Sequence, residues 1–335
     1  MNKKLKNSIQ FVLFLSIGVF LFWLVYRNTD FAVVWEEVKR VKYIWFIPAI
    51  IVFILSHFSR ALRWMMLIEP LGYKPRFWNT LWAVLVMYFV NLGIPRMGEV
   101  ARCGVVSKYD KIPVSKVLGT MITERIFDVI MLALLIVVVI IFNGDKVVDF
   151  LSQNPGMKEN INALFSPLAL GIIGALGVVF LVLLFFMFKG KFDHIAFIKR
   201  VHLFFRNLFA GLLSFRSIKR KWLFLLHSAF IWLMYFVMLY LCFFAFNFKV
   251  DLSLMSALLV FVAGSFGMMA PAPNGMGAWH FMIIQSLILL GVVQTNAEAF
   301  ALIVHSLQTI LIIIMGVIAF IALPMINRVP SEKNM

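Results

Sequence analysis

An all-α, polytopic membrane protein is the fold class this sequence predicts, on three observations. Hydrophobic residues make up 63% of the 335 and charged residues only 14%, a composition too apolar for a water-soluble domain. Several apolar runs reach the roughly 20 residues that a bilayer-spanning helix needs. Strand-like alternation is missing, which argues against a barrel whose strands alternate lipid-facing and lumen-facing residues.

The formal net charge is +16. In a chain this apolar the excess belongs to cytoplasmic loops, where Lys and Arg follow the positive-inside rule and meet anionic lipid. No basic soluble domain is present to carry nucleic-acid binding, so no nucleic-acid partner is expected. The two cysteines, Cys103 and Cys242, form no disulfide or metal framework. A Gly-rich phosphate loop, a His-Glu-x-x-His helix and a serine nucleophile elbow are all missing from the sequence. Direct ATP drive, a metal, a cofactor and an enzymatic role are therefore not expected.

The chain is read as a single integral membrane domain over 1–335. The first apolar run follows Lys3, Lys4 and Lys6 without a small-residue cleavage site, so 8–26 reads as a retained helix. Residues 31–41 place Val34, Trp35, Val38 and Val41 on one face and Glu36, Glu37, Lys39 and Arg40 on the other, the pattern of a helix lying on the membrane surface. Apolar runs follow at 43–68, 77–94 and 117–142, then a polar loop over 143–162 and a further run at 167–188. Residues 189–221 hold nine Lys or Arg against one acid, Asp193. Their apolar residues keep helical spacing, which predicts a basic cytoplasmic interfacial helix. Runs at 222–246, 252–270, 277–290 and 299–323 complete the chain, about seven spans in all.

Counting faces makes 77–94 the pivotal segment. With 189–221 inside and the N-terminus cytoplasmic, 77–94 starts and ends inside and must be re-entrant. With the N-terminus outside, it crosses fully. Charge alone does not choose between these. The break at Gly93 and Pro95, with Arg96 and Glu99 directly after it, favours the re-entrant reading, because an opened backbone at membrane depth survives only when packed in protein or lining a cavity. Two halves then correspond, about 43–142 and 222–323, each a span, an interrupted hairpin and a span. Trp45 to Pro95 is 50 residues and Trp222 to Pro273 is 51. Interrupted segments at matching positions in inverted halves point to a transporter's central site.

The charged residues within these segments are the candidate site. Arg60 and Arg63 lie near the end of the second helix; Glu124 and Asp128 share a helix face, with Arg125 beside them. One reading makes Arg60, Arg63, Arg96, Arg102 and Arg125 a cationic pocket for an anionic head group, held by Glu99, Glu124 and Asp128, since a guanidinium pairs bidentately with phosphate. The other makes them internal ion pairs that lock helices together. The stretch Pro271, Pro273, Gly275 and Gly277 reads as opened backbone between two half-helices, matching Gly93, Pro95 and Gly98 in the first half. Free amides there could hold an anion, and His280 beside it is a candidate for head-group contact or proton coupling.

Four motifs in order carry a resemblance: Arg60-Ala-Leu-Arg63-Trp64; Asn91-x-x-x-Pro95-x-x-Gly98-Glu99-x-x-Arg102; Glu124-Arg125-x-x-Asp128; and Pro271-x-Pro273-x-Gly275-x-Gly277-Ala-Trp. Together they resemble the lysylphosphatidylglycerol synthase transmembrane-region family over roughly residues 8–325. The family includes the flippase portion of the multiple peptide resistance factor, which moves aminoacylated phospholipid to the outer leaflet. The resemblance implies a flippase-like transporter of an anionic phospholipid or lipid-linked intermediate in the cytoplasmic (inner) membrane, and it implies substrate contact for Asn91 and the charged residues of these motifs. The aminoacyl-transferase portion is missing from the 335 residues, so lysyl transfer is not expected of a stand-alone member. Trp279-His280 also stands where many relatives carry a second acid. Two alternatives remain open: an integral-membrane glycosyl- or phospho-transferase using a polyprenyl-phosphate donor, and a scaffolding subunit of an envelope assembly. Lipid and bilayer are the expected partners, and a homo-oligomer is compatible with the reading.

Overall fold

A computed structural model describes residues 3–153, 156, 159, 166, 171, 196–248, 250 and 252–327. Helix α1 (Lys3–Tyr26) and helix α2 (Phe31–Lys39) meet at an 89° bend. Asp30 makes the bend: its carboxylate accepts from the Ala32 amide at 2.9 Å and caps α2. Helix α3 (Phe46–Ile68) buries Phe53, His57, Arg60, Ala61, Trp64 and Ile68, a stripe at helical spacing that is polar in its middle.

Helices α4 (Phe77–Gly93) and α5 (Met97–Asp110) form a hairpin. Pro95 causes the break, since it drives the preceding residue out of the helical region, and Ile94 is extended at φ −130° and ψ 108°. Arg96 then turns the chain at φ 64°. The two arms are tied at both ends. Near the tip the Gly98 amide donates to Asn91 Oδ1 at 2.8 Å, and at the base Asn79 Nδ2 donates to Asp110 Oδ1 at 2.8 Å. From 79 to 91 and from 98 to 110 are equal lengths of helix, about 18 Å, so the outer ends of α4 and α5 lie on the same side. Gly98 permits the closure: a Cβ there would run into the Met87 carbonyl oxygen.

Helix α6 (Val114–Gln153) differs from the polar loop expected from residue 143. Asn143 leaves helical geometry (φ −138°, ψ 30°), but the helix resumes and continues to Gln153. Asn143 Nδ2 donates to the Met255 carbonyl at 3.2 Å, so the kink is held by a neighbouring helix. The run expected at 167–188 and the first residues of the basic segment lie outside the described residues.

Helix α7 (Ala196–Leu212) crosses α6 where Gly119 and Gly211 face each other, and Thr123 Oγ1 donates to the Leu212 carbonyl at 2.8 Å. After a 3-10 turn (Leu213–Ser217), helix α8 (Lys221–Phe243) packs along α3. Helices α9 (Leu254–Gly267) and α10 (Ala278–Leu289) make the second hairpin. Its tip contains the Pro273–Gly275 turn, with φ of 47° at Asn274, 68° at Gly275 and 80° at Gly277.

Helix α11 (Gln294–Ile326) acts as a ruler for the assembly. Its 33 residues reach about 50 Å at the helical rise. Near its start the Glu298 carbonyl accepts from the Tyr26 hydroxyl at 3.3 Å. Further along, His305 Nε2 donates to the Asn274 carbonyl in the second tip at 2.9 Å. Gly316 then packs on Phe89, near the first tip. Just past its end Asn327 Nδ2 donates to Asn79 Oδ1, at the base of the first hairpin, at 2.7 Å. The hairpins therefore approach from opposite ends of α11, and their tips touch: Arg96 Nη2 donates to the Met269 carbonyl at 3.2 Å.

Among the described residues four helical stretches are long and apolar enough to cross a membrane: Tyr43–Leu71, Val114–Asp149, Lys221–Phe243 and Gln294–Ile326. A fifth counts if the bent α1–α2 pair is one span. Helices α4 and α9 are apolar but shorter. The chain is an all-α, multi-pass membrane protein.

Candidate functional site

Three helices bring six charged side chains into one network. Arg60 and Arg63, one turn apart on α3, reach across to Glu124 and Asp128, one turn apart on α6. Arg60 Nη1 lies 2.8 Å from Glu124 Oε1, and Arg63 Nη2 lies 2.8 Å from Asp128 Oδ1. Longer pairs cross between them, Arg60 to Asp128 at 3.4 Å and Arg63 to Glu124 at 3.1 Å. Arg102 enters from α5, its Nη1 3.0 Å from Glu124 Oε2. Arg125 completes the set at 3.3 Å from both carboxylates.

Burial makes this arrangement costly to break. The side chains of Arg63, Arg102 and Glu124 are 0% exposed and that of Arg60 is 3% exposed. Charges taken from water are tolerated only with partners of good geometry. Four guanidinium groups share two carboxylates, so the network carries an excess of positive charge. Arg102 stands out within it. Its position beside Glu124 is off the hydrogen-bonding direction, and its guanidinium nitrogens make no hydrogen bond among the described residues. Its charge lies 4.4 Å over the Trp64 ring, which the indole's Nε1 bond to Thr120 Oγ1 (3.1 Å) holds in place. Arg125, with a side chain 39% exposed, is the member that faces outward.

Several partners gave no signal in the sequence. Ser228 on α8 accepts from Arg63 Nη1 at 3.2 Å, and the Tyr235 hydroxyl accepts from Arg60 Nε at 3.2 Å. Tyr235 in turn shares a hydrogen bond with Tyr88 of α4 at 3.0 Å. His57, one turn before Arg60, is buried with its ring 4.8 Å from that of Tyr88, and its Nδ1 lies 2.7 Å from the Phe53 carbonyl. A serine and two tyrosines on apolar helices carry no motif; only the packing of α3, α4, α6 and α8 assembles them.

The remaining candidate residues occupy the two tips. Gly93 and Pro95 form the break, and Asn91 reaches Gly98 and, at 3.5 Å, Glu99. Arg96 is exposed at the tip contact and has no ion pair among the described residues, so it stands apart from the buried network. In the second tip, Pro273 lies against Gly18, and Gly277 sits so close to Leu21 and Phe22 of α1 that a Cβ would collide with them. Pro271 leads into this tip. His280 accepts from the Gly277 amide at 3.3 Å. Its ring is buried among Phe22, Tyr26, Trp279 and His305, the last 4.4 Å away. It belongs to the second tip and not to the arginine network. Among the described residues no three His, Cys, Asp or Glu side chains gather as metal ligands.

These features define a multi-pass membrane protein with a buried, arginine-rich polar centre built from α3, α5 and α6. Residues 9–316 match the family described as the lysylphosphatidylglycerol synthase TM region, and the chain belongs to that family. It is also similar to UPF0104 membrane protein MJ1595 of Methanocaldococcus jannaschii, with 31% identity over 111 residues. That match covers 31% of this chain and 33% of the archaeal protein.

Proposed function

We propose that this protein is a flippase-like transporter that carries an anionic phospholipid or lipid-linked intermediate across the cytoplasmic membrane, with its N-terminus cytoplasmic. In this reading the two hairpins are re-entrant, belong to an inverted repeat and accompany about seven spans. The head group passes the polar centre while its tails stay in the bilayer. Arg60 and Arg63 position the network through Glu124 and Asp128. Arg102, Arg125 and Arg96 meet the phosphate, because they hold donors or surface that the carboxylates leave over. Asn91, Glu99 and His280 shape the two tips around the path.

One observation carries the reading: the buried network holds four guanidinium groups against two carboxylates, and one of them, Arg102, comes from the hairpin whose tip Arg96 joins to Met269. A transferase is less well supported. Its acid–base chemistry needs a free carboxylate, whereas Glu124 and Asp128 are both engaged by arginines.

The test is reconstitution into liposomes that carry head-group-labelled phosphatidylglycerol, with dithionite quenching to read leaflet exchange. Wild type should accelerate exchange. Arg96→Ala and Arg102→Ala should each slow it on the order of tenfold, the scale of a lost charge-assisted hydrogen bond. Equal rates for wild type and Arg96→Ala would remove Arg96 from the path.

A further inference from the structure

The corner between α7 and α8 carries charges that the polar centre does not use. Arg216, Lys219, Arg220 and Lys221 are all exposed. No acid occurs anywhere in residues 196–248. The corner is also firmly built. Ile218, in the middle of the basic run, is buried in a cluster with Trp64, Ile68, Val117 and Phe224. Phe215 packs on Phe224 and Phe127 with ring centroids 5.3 and 4.5 Å apart. The cations are therefore held on a rigid turn, so little ordering entropy opposes a partner that meets them.

Depth identifies that partner. Lys221 and Trp222 open a helix long enough to span a bilayer, so the run lies where the apolar span meets the head groups. Trp222 is 78% exposed and Leu213 49% exposed, an aromatic and an aliphatic flank suited to that boundary. Cations at the level of lipid phosphates, apolar groups beside them and no acid in the segment together match a leaflet rich in anionic lipid.

We propose that Arg216, Lys219, Arg220 and Lys221, set around the Ile218 anchor and flanked by Leu213 and Trp222, dock the phosphate head groups of anionic lipid outside the path of the transported molecule. The two helices that flank the surface meet the polar centre through two bonds. Arg63 Nη1 donates to Ser228 two turns into α8, and Thr123, next to Glu124, donates to the last carbonyl of α7. Head groups held at this corner thus steady both helices that brace the network.

The experiment places the full chain in nanodiscs of phosphatidylcholine alone or of phosphatidylcholine with phosphatidylglycerol, and follows hydrogen–deuterium exchange over 213–222. Phosphatidylglycerol should slow exchange there, and added salt should weaken the effect. The K219Q/R220Q/K221Q variant should lose it, each neutralised charge weakening the interaction on the order of fivefold. The charge-preserving R216K/R220K variant should keep it. Three results overturn the proposal. One is equal protection in phosphatidylcholine alone. Another is an equal loss in K108Q/K111Q, which alters charge elsewhere. The third is protection by RNA or an acidic polypeptide but not by phosphatidylglycerol. No transport is read, so this proposal and the transport reading fail separately.

Discussion

Arg60 Nη1 sits 2.8 Å from Glu124 Oε1, joining α3 to α6 at a point where neither side chain is more than 3% exposed. Glu124 is the hub of the network, for Arg60, Arg63, Arg102 and Arg125 all lie within 3.3 Å of its carboxylate. Neutralising it leaves three fully or nearly fully buried guanidinium groups with Asp128 as the remaining acid. Glu124→Gln should therefore destabilise the protein by about 3–5 kcal/mol, the cost of removing one partner from a buried ion pair. Thermal unfolding in detergent measures this. Arg125→Gln, at the partly exposed edge, should cost less than about 1 kcal/mol. A reversed order would mean that Glu124 is not the hub.

The first hairpin closes because Gly98 has no Cβ. Gly98→Ala would press a methyl group against the Met87 carbonyl oxygen and stretch the 2.8 Å bond to Asn91. The expected loss is about 1–3 kcal/mol, typical of forcing a carbon into a packed contact. Disulfide formation between Asn79→Cys and Asp110→Cys reports the closed hairpin, and it should be slower in the alanine background. Unchanged cross-linking and stability would mean that the helices part at little cost.

Asn79 and Asn327 form a reciprocal amide pair, 2.7 Å in one direction and 3.2 Å in the other, that fastens the end of α11 to the base of the first hairpin. A double-mutant cycle with Asn79→Ala and Asn327→Ala should give a coupling energy on the order of 1 kcal/mol. Additive effects of the two substitutions would show that the pair does not hold the two elements together.

His305 does the corresponding work at the second tip, where its ring donates to the Asn274 carbonyl at 2.9 Å. Three residues at that tip, Asn274, Gly275 and Gly277, have positive φ, and the His305 bond ties the first of them to α11. His305→Ala should raise hydrogen–deuterium exchange over 271–277 and cost about 1 kcal/mol. His305→Gln, which keeps a donor, should restore part of the protection. No change in exchange with alanine would assign the tip's order to α1 packing alone.

Some features could be read from the chain because their causes are local. Pro95 extends Ile94 through a clash with its own neighbour, and Pro273, Gly275 and Gly277 open the second tip in the same short-range way. The i,i+3 pair Arg60–Arg63 and the i,i+4 pair Glu124–Asp128 have to share helix faces whatever surrounds them. Apolar length likewise identifies the spanning stretches without reference to neighbours. Arg60 and Glu124, by contrast, stand 64 residues apart, and Arg60 and Tyr235 stand 175 apart. No pattern within one helix could pair them. The choice of Glu124 as hub, the separation of Arg96 and His280 from the network, the meeting of the two tips and the continuation of α6 past Asn143 all came from packing between distant helices. Local chemistry along the chain was enough for the helices, their breaks and the charges they carry; which of those charges meet depended on the packing of distant helices, because a buried ion is stable only where another element brings its counter-ion to it.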